Sequence, residues 1–301
     1  MPRLRPTPPH EALRQLQQQQ ARSFWKRPQA RLSIACVLLF VLIGVMQIRF
    51  QGEKETFLPD GQLAQELQKN PITAKSLANP QAYYTRARIY LEHDRPAEAL
   101  SDYTHVISDN PQAVLAYKGR GQVFLRVKKY AAALADFEKV LSLSKDPEIR
   151  REVLNNRGLI KMQWGQYKEA IVDYLSALKQ SPPPGQAALL YSNIGLAYEA
   201  LADLPKAHLA YQTAQRKAST YTLAFWFEGR LWAQQKETAK AIPLLKKATT
   251  DRPDLGEAWW LLAELLYQAD APRKDCKAAQ RAYQNACQVG IKKACKKTAC
   301  P

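Results

Sequence analysis

The chemistry this chain could perform rests on few residues. Four histidines, His10, His93, His105 and His208, are scattered through 301 residues. None lies in an H-E-x-x-H or comparable metal motif, and each reads as a solvated surface residue. Five cysteines are placed unevenly: Cys36 stands alone, and Cys276, Cys287, Cys295 and Cys300 crowd the far end. Only Cys295 and Cys300 have a spacing that suits structural zinc, without a second pair or a nearby histidine. No redox Cys-x-x-Cys and no thiol with a sequence-adjacent histidine occurs. A phosphate-binding loop and a nucleophile elbow are also missing, and Gly119-Arg120-Gly121 lies within a predicted helix. The chain is therefore read as a non-enzyme with no cofactor and no metal. Crowded cysteines in even number read instead as disulfides of an exported domain, with three pairings open to four cysteines.

What must position any functional surface is a repeat. Gly121, Gly158, Gly195 and Gly229 follow one another at intervals of 37, 37 and 34, with Ala87 before and Ala263 after. Twelve residues beyond the first five of these small residues stand Ala99, Ala133, Ala170, Ala207 and Ala241. Four further on come Tyr103, Phe137, Tyr174, Tyr211 and Leu245, then Val106, Val140, Ala177, Ala214 and Ala248. Positions i, i+4 and i+7 share one helical face. Each unit thus predicts a second helix with an inner face of Ala, bulky residue and small residue. The first helix carries a bulky residue four before its small one: Tyr83, Tyr117, Leu154, Tyr191, Phe225 and Trp259. Small residues let the two backbones approach while rings fill the gaps beside them. No strand pattern is present.

The pattern, clearest in Tyr191-Ser192-Asn193-Ile194-Gly195-Leu196-Ala197-Tyr198 with Ala207, Tyr211 and Ala214, resembles the tetratricopeptide repeat. Pro111, Pro182 and Pro253 stand where that family ends its second helix. The resemblance covers about residues 80–290 as six helix pairs, near 80–113, 114–147, 151–184, 188–219, 222–254 and 255–290, with Lys161 where an apolar residue is expected. It implies an all-α solenoid whose first helices line a concave binding face. One turn off the packing face stand Tyr84, Arg88, Lys118, Gln122, Asn155, Leu159, Met162, Ser192, Leu196, Trp226, Arg230 and Trp260. Aromatic, Met and Arg residues of this kind are enriched in protein interfaces; Trp226 and Trp260 also suit packing between adjacent units. Some family members grip an acidic C-terminus with cations and amides. Lys118 and Asn156 match that clamp and Gln122 approximates it, whereas Leu189 and Asn193 stand where two further cations belong.

At the far end Gly290 is a natural helix stop, so 278–289 and 291–298 are expected to fold back as two antiparallel helices. Ala282-Tyr283-x-x-Ala286-Cys287 with Cys295 resembles disulfide-bridged Sel-like helical repeats. That resemblance implies Cys287–Cys295, leaving Cys276–Cys300.

Ahead of the repeats, residues 1–31 form a basic Pro- and Gln-rich tail. Residues 32–49 hold the one long apolar run, Leu32 to Ile48, bracketed by Arg31 and Arg49. As a helix that run spans about 25 Å, enough for a tilted or snorkelling single-pass anchor. It exceeds a usual signal-peptide core and is followed by no small-x-small cleavage site. The positive excess before it predicts a cytoplasmic tail and exported repeats. Residues 50–79 read as a linker with a short helix around Leu63 and Leu67, and residues 291–301 as a cysteine-bearing cap. The net charge of +17 mixes bases with acids and carries no nucleic-acid module, so no nucleic-acid partner is expected.

These features together predict a bacterial inner-membrane protein, N-terminus in the cytoplasm and repeats in the periplasm. It would contact the bilayer through 32–49 and scaffold another protein of an envelope assembly. Two alternatives are a cytosol-facing receptor or co-chaperone, which needs reduced cysteines and a working clamp, and a lipid- or glycan-binding accessory subunit with Trp226 and Trp260 as stacking residues.

Overall fold

A computed structural model describes residues 80–268 and 273–297. These form twelve α-helices in six consecutive antiparallel pairs: α1 (Pro80–Glu92) with α2 (Pro96–Asp109), α3 (Val114–Arg126) with α4 (Tyr130–Leu143), and α5 (Pro147–Gln163) with α6 (Tyr167–Leu178). There follow α7 (Pro184–Ala200) with α8 (Leu204–Lys217), α9 (Thr222–Gln234) with α10 (Thr238–Asp251), and α11 (Gly256–Gln268) with α12 (Arg273–Gln288). No strand occurs among the described residues. The fold is an all-α solenoid: each first helix packs on its own second helix and on the helices of adjacent pairs.

The glycine-to-aromatic register is the packing rule. A Cβ built on Gly121 would stand 2.6 Å from Phe137 Cε1, and one on Gly158 2.9 Å from Tyr174 Cδ1, closer than carbon atoms approach. The rings lie where a side chain on the glycine would be, and Tyr103, Phe137, Tyr174 and Tyr211 are fully buried as a result. Burying one such ring contributes about 1.5–3 kcal/mol. The core is continuous between pairs, since Tyr103 of α2 packs with Ala116 and Val123 of α3.

The sequence signals for helix ends act differently from unit to unit. Pro147 follows the cap Asp146, whose side chain accepts from the Ile149 N–H at 2.9 Å. Asp203 caps α8 in the same way through the Lys206 N–H. First helices end in a left-handed residue at one fixed register: Asp94, Lys128, Gly165, Ala202 and Lys236, all with φ between 57° and 72°. The next N–H then reaches back to a carbonyl of the preceding turn, as Arg95 to Tyr90 and Lys129 to Phe124, both at 2.8 Å. Only one of the five is glycine, the residue that adopts this conformation without steric cost.

Three expectations need correction. The fourth pair does not start near 188, because Pro184 already opens α7; proline's fixed φ suits a first turn. Lys161 is not a misplaced apolar position: its Nζ lies 2.7 Å from buried Asp173. The stretch 291–298 is no second helix of an antiparallel pair. Gly290, at φ 95°, reverses the chain, and only a 3-10 turn over Ala294–Lys296 follows. Four lysines and few apolar residues leave that segment little to support a helix.

Cys287 and Cys295 are joined by a disulfide, with Cα atoms 4.9 Å apart. Cys276 is disulfide-bonded too, and Cys300, assigned to it above, lies outside the described residues. So do the tail, the apolar run 32–48, the linker and His10. Among the described residues no helix is long and apolar enough to cross a membrane.

Candidate functional site

The first helices present their residues one turn off the packing face in two contrasting halves. Over the first three pairs the face stays accessible except at Met162. Arg88 keeps more than half of its side chain exposed beside Glu92, and Tyr84, Lys118, Gln122, Asn155 and Leu159 are half-buried. Lys118 is already engaged, its Nζ 2.7 Å from Glu152 on the next first helix. Asn155 accepts from the Asn193 amide at 3.0 Å. Lys118, which matches a carboxylate clamp, is thus spent on a neighbouring helix, and Asn193, which stands where a clamp cation belongs, is bonded between helices as well. Asn156 is half-buried and Leu189 stands where a cation belongs.

Over the fourth and fifth pairs the face is sealed. Trp226 and Arg230 retain 6% and 5% of their surface, and Ser192 and Leu196 are also buried; Met162, at the end of α5 in the third pair, is buried too, at 4%. These five cannot meet a partner directly, which corrects the expectation for them. An ion pair crosses the boundary between the fourth and fifth pairs. Arg230 Nη2 of α9 donates to both carboxylate oxygens of Glu199 on α7, at 2.9 and 3.0 Å. The Tyr211 hydroxyl donates to the same carboxylate. Burial opposes the charge on Arg230, but Glu199 and Tyr211 outweigh it and hold the guanidinium above its ordinary pKa. Desolvation first, and then Glu199, push the Tyr211 phenol well up, so it remains a donor.

A polar lattice below this face was not anticipated. Arg86, Arg120 and Arg157, each one residue before the small residue of its first helix, grip Asp102, Asp136 and Asp173, sixteen residues later. Each contact is bidentate, with distances of 2.5–2.9 Å. The exact repeat of that separation was visible in the sequence. In the fourth pair Ile194 and Ala210 hold the corresponding places, and in the fifth Glu228 and Leu244. Glu228 turns back to the preceding pair and accepts from Gln212 at 2.9 Å and Gln215 at 2.7 Å.

His208 and His93 are buried rather than solvated; among the described histidines only His105 stays half-exposed, beside Asp109. His208 stacks on Trp232, ring centroids 3.7 Å apart, and its Nε2 is 2.8 Å from the Gln235 amide. Desolvation lowers its pKa below 6.5 despite Glu228. None of these groups converges with a nucleophile, and among the described residues no cluster of three or more His, Cys, Asp or Glu could hold a metal.

The second helices carry one surface that the sequence reading passed over. Val172 and Leu209 stand two residues before Tyr174 and Tyr211, in the same register, and both are more than half exposed. Val172, with Leu175 and Tyr191, borders a shallow hollow.

Trp260, on α11, is half-buried and carries the face to the last pair.

Comparison with known proteins agrees with this architecture. Tetratricopeptide-repeat models match residues 84–148 and 192–255, and a second such model matches 152–184, together more than half of the chain. DnaJ homolog subfamily C member 3 of Mus musculus is 29% identical over 184 residues, covering 57% of this chain and 36% of that protein. Tetratricopeptide repeat protein 13 of Homo sapiens is 33% identical over 172 residues, 56% of this chain and 19% of its own length. The chain therefore spans about a third or less of these curated relatives. Among solved structures, pilF of Pseudomonas aeruginosa superposes with a TM-score of 0.55 at 18% identity, over 72% of this chain and 97% of that one. PilW, described as a widely conserved type IV pilus biogenesis factor, gives 0.56 at 16% identity, over 70% and 97%. At these identities the likeness is one of fold.

Proposed function

Because this chain belongs to the tetratricopeptide-repeat family, a fold built for protein–protein interaction, we propose that it is a membrane-anchored scaffold. Its repeats, on the extracytoplasmic side, would hold another protein of a bacterial envelope assembly near the bilayer. The observation that carries the reading is the contrast along the first-helix face. Tyr84, Arg88 and Gln122 are left accessible, whereas Arg230 and Glu199 close the fourth and fifth pairs. An accessible aromatic, cation and amide on successive first helices suit a protein-binding surface. We assign no enzymatic step, cofactor or metal to it.

The anchor rests on the apolar run 32–48 and the extracytoplasmic side on the positive charge before it. Disulfides at Cys276 and between Cys287 and Cys295 fit an oxidising compartment. PilW, whose described role is in pilus biogenesis, lends an envelope precedent for the fold. The co-chaperone reading is weakened by Lys118 and Asn193, which are already bonded to Glu152 and Asn155. The stacking role for Trp226 in a lipid- or glycan-binding subunit is weakened by its burial.

The test joins topology and capture. A reporter active only outside the cytoplasm, fused after Pro301, is expected to be active. Arg88→Glu with Gln122→Ala is expected to release the protein that co-purifies with the full chain from membranes. An inactive reporter on well-expressed protein would overturn the topology. Undiminished capture by the double variant would overturn the choice of face.

A further inference from the structure

The last pair ends in a feature the other five lack. Beyond α12 the chain reverses at Gly290 and runs back along α11. Gly256 makes room for it: a Cβ there would stand 2.8 Å from Ile291 Cγ1 and 2.9 Å from Val289 Cγ2. From that point two lysines reach over the face of α11. Lys293 Nζ lies 4.5 Å from the Trp260 ring centroid and 3.9 Å from Glu257. Lys297 Nζ stands 5.7 Å from the Tyr283 ring and 5.8 Å from those of Trp260 and Tyr267. It lies 3.3 Å from Glu264 Oε1.

This is a formed cage. The Tyr283 hydroxyl donates to Glu264 at 2.8 Å, and Trp260 meets Tyr283 edge-on at 5.4 Å. Desolvation, and then Glu264, raise the Tyr283 pKa, so the phenol keeps its proton and donates a hydrogen bond to the carboxylate. Aromatic faces around a carboxylate attract an ammonium through both ring quadrupole and charge.

Trp260 and Glu264 hold, in the last pair, the register that Trp226 and Arg230 hold in the fifth. In the interior a following first helix covers that face, as α9 covers Glu199 of α7 with Arg230. Here no further helix follows among the described residues, and a short basic segment takes its place. Its hold is light. About half of each lysine side chain remains exposed, and an open hollow lies between α12 and the segment, lined by Gln280, Gln284, Gln288, Ala294 and Lys297.

We propose that Trp260, Tyr267, Tyr283, Glu257 and Glu264 form a binding site for a lysine-bearing basic peptide segment, occupied in cis by Lys293 and Lys297 and yielded to a basic segment of the partner. The inference rests on the reading that this face of the first helices meets the partner. It adds the chemistry of the partner segment, namely ammonium groups with little acidic character nearby.

The probe is a fluorescent peptide of residues 289–297 with serine for Cys295, added to the full chain and followed by anisotropy. Lys293→Ala with Lys297→Ala is expected to bind it at least about tenfold more tightly than the wild type, because the competing lysines are gone. Adding Glu264→Gln is expected to reverse that gain, and a peptide with its lysines replaced by alanine is expected not to bind. Equal affinity for wild type and double variant, or indifference to Glu264→Gln, would overturn the proposal. Should the double variant lose its helical circular dichroism, reduction of Cys287–Cys295 in the wild type provides the second route. Peptide binding that appears on reduction supports the site, and none after reduction overturns it. Failure here leaves partner capture through Arg88 and Gln122 intact, whereas failure of the scaffold reading abolishes that capture and leaves peptide binding measurable.

Discussion

Arg230 of α9 meets Glu199 of α7 inside the protein, its Nη2 within 3.0 Å of both carboxylate oxygens. The residues are 31 apart in the chain and belong to successive pairs. One interaction therefore joins two repeats and closes the face between them.

Removing one partner of such a buried pair costs more than removing both, because a lone charge is left without water. Arg230→Ala is expected to lower stability by about 3–5 kcal/mol in denaturant titration. The triple change Arg230→Met, Glu199→Leu, Tyr211→Phe, which also removes the hydroxyl that donates to Glu199, is expected to recover most of that loss. A single change as mild as the triple one would mean that the pair is reached by solvent.

Gly195→Leu tests the packing rule. Its Cβ alone would stand 2.8 Å from Tyr211 Cδ1 and Cζ, and the ring, fully buried, has no free direction to move. Overpacking of this kind costs about 1–3 kcal/mol or more, and damage is expected to pass to the third and fifth pairs, which share the interface. Hydrogen exchange resolved by segment reads both effects. Unchanged protection in all three pairs would mean that the helices approach elsewhere.

The cluster around His208 predicts a dependence on pH. In the folded chain desolvation lowers the His208 pKa below 6.5, against the pull of Glu228 and Glu199 and the bond to Gln235. The unfolded chain binds the proton more readily, so stability is whole above the ordinary imidazole pKa and falls as the pH drops below it. The thermal midpoint is expected to fall between about pH 7.5 and about pH 5 more steeply in the wild type than in His208→Gln. Parallel curves would show that the imidazole is not the titrating group.

Ala202 holds the left-handed end of α7 at φ 59°. An L-residue there costs about 1–2 kcal/mol, partly offset by the greater unfolded-state freedom of glycine. Ala202→Gly is expected to raise the midpoint by about 2 °C, and Gly165→Ala to lower it by a similar amount. The opposite pair of signs would mean that backbone strain is relieved by contacts of the Ala202 side chain.

How far the sequence reaches can be judged residue by residue. Gly121 with Phe137, Gly158 with Tyr174 and Gly195 with Tyr211 were legible because each contact lies within one pair, at a fixed separation along the chain. The same register placed Trp226 and Arg230 correctly on the first-helix face. For Trp226 packing between adjacent units was one of two open readings; the burial of Arg230 was not legible, because it depends on Glu199 of the preceding pair. Periodicity gives a residue its direction but not the neighbour that covers it. His208 escaped for the same reason, its cover being Trp232 and Gln235 of the next pair. Left-handed positions were hidden wherever Asp94, Lys128, Ala202 or Lys236 stands in place of glycine. The segment after Gly290 was misread as a helix because its contacts run from lysines to rings, which hydropathy patterns do not register.

The most direct measurement of where the partner binds is photo-crosslinking in intact membranes, with the reactive residue placed at Gln122 on the first-helix face or at Val172 on the second-helix face. Both sites are accessible and neither supports the core. The account predicts one discrete crosslinked protein from position 122, lost when Arg88→Glu is added, and none from position 172. A discrete product from position 172 alone would contradict it and assign the partner to the apolar strip of Val172, Leu175 and Leu209.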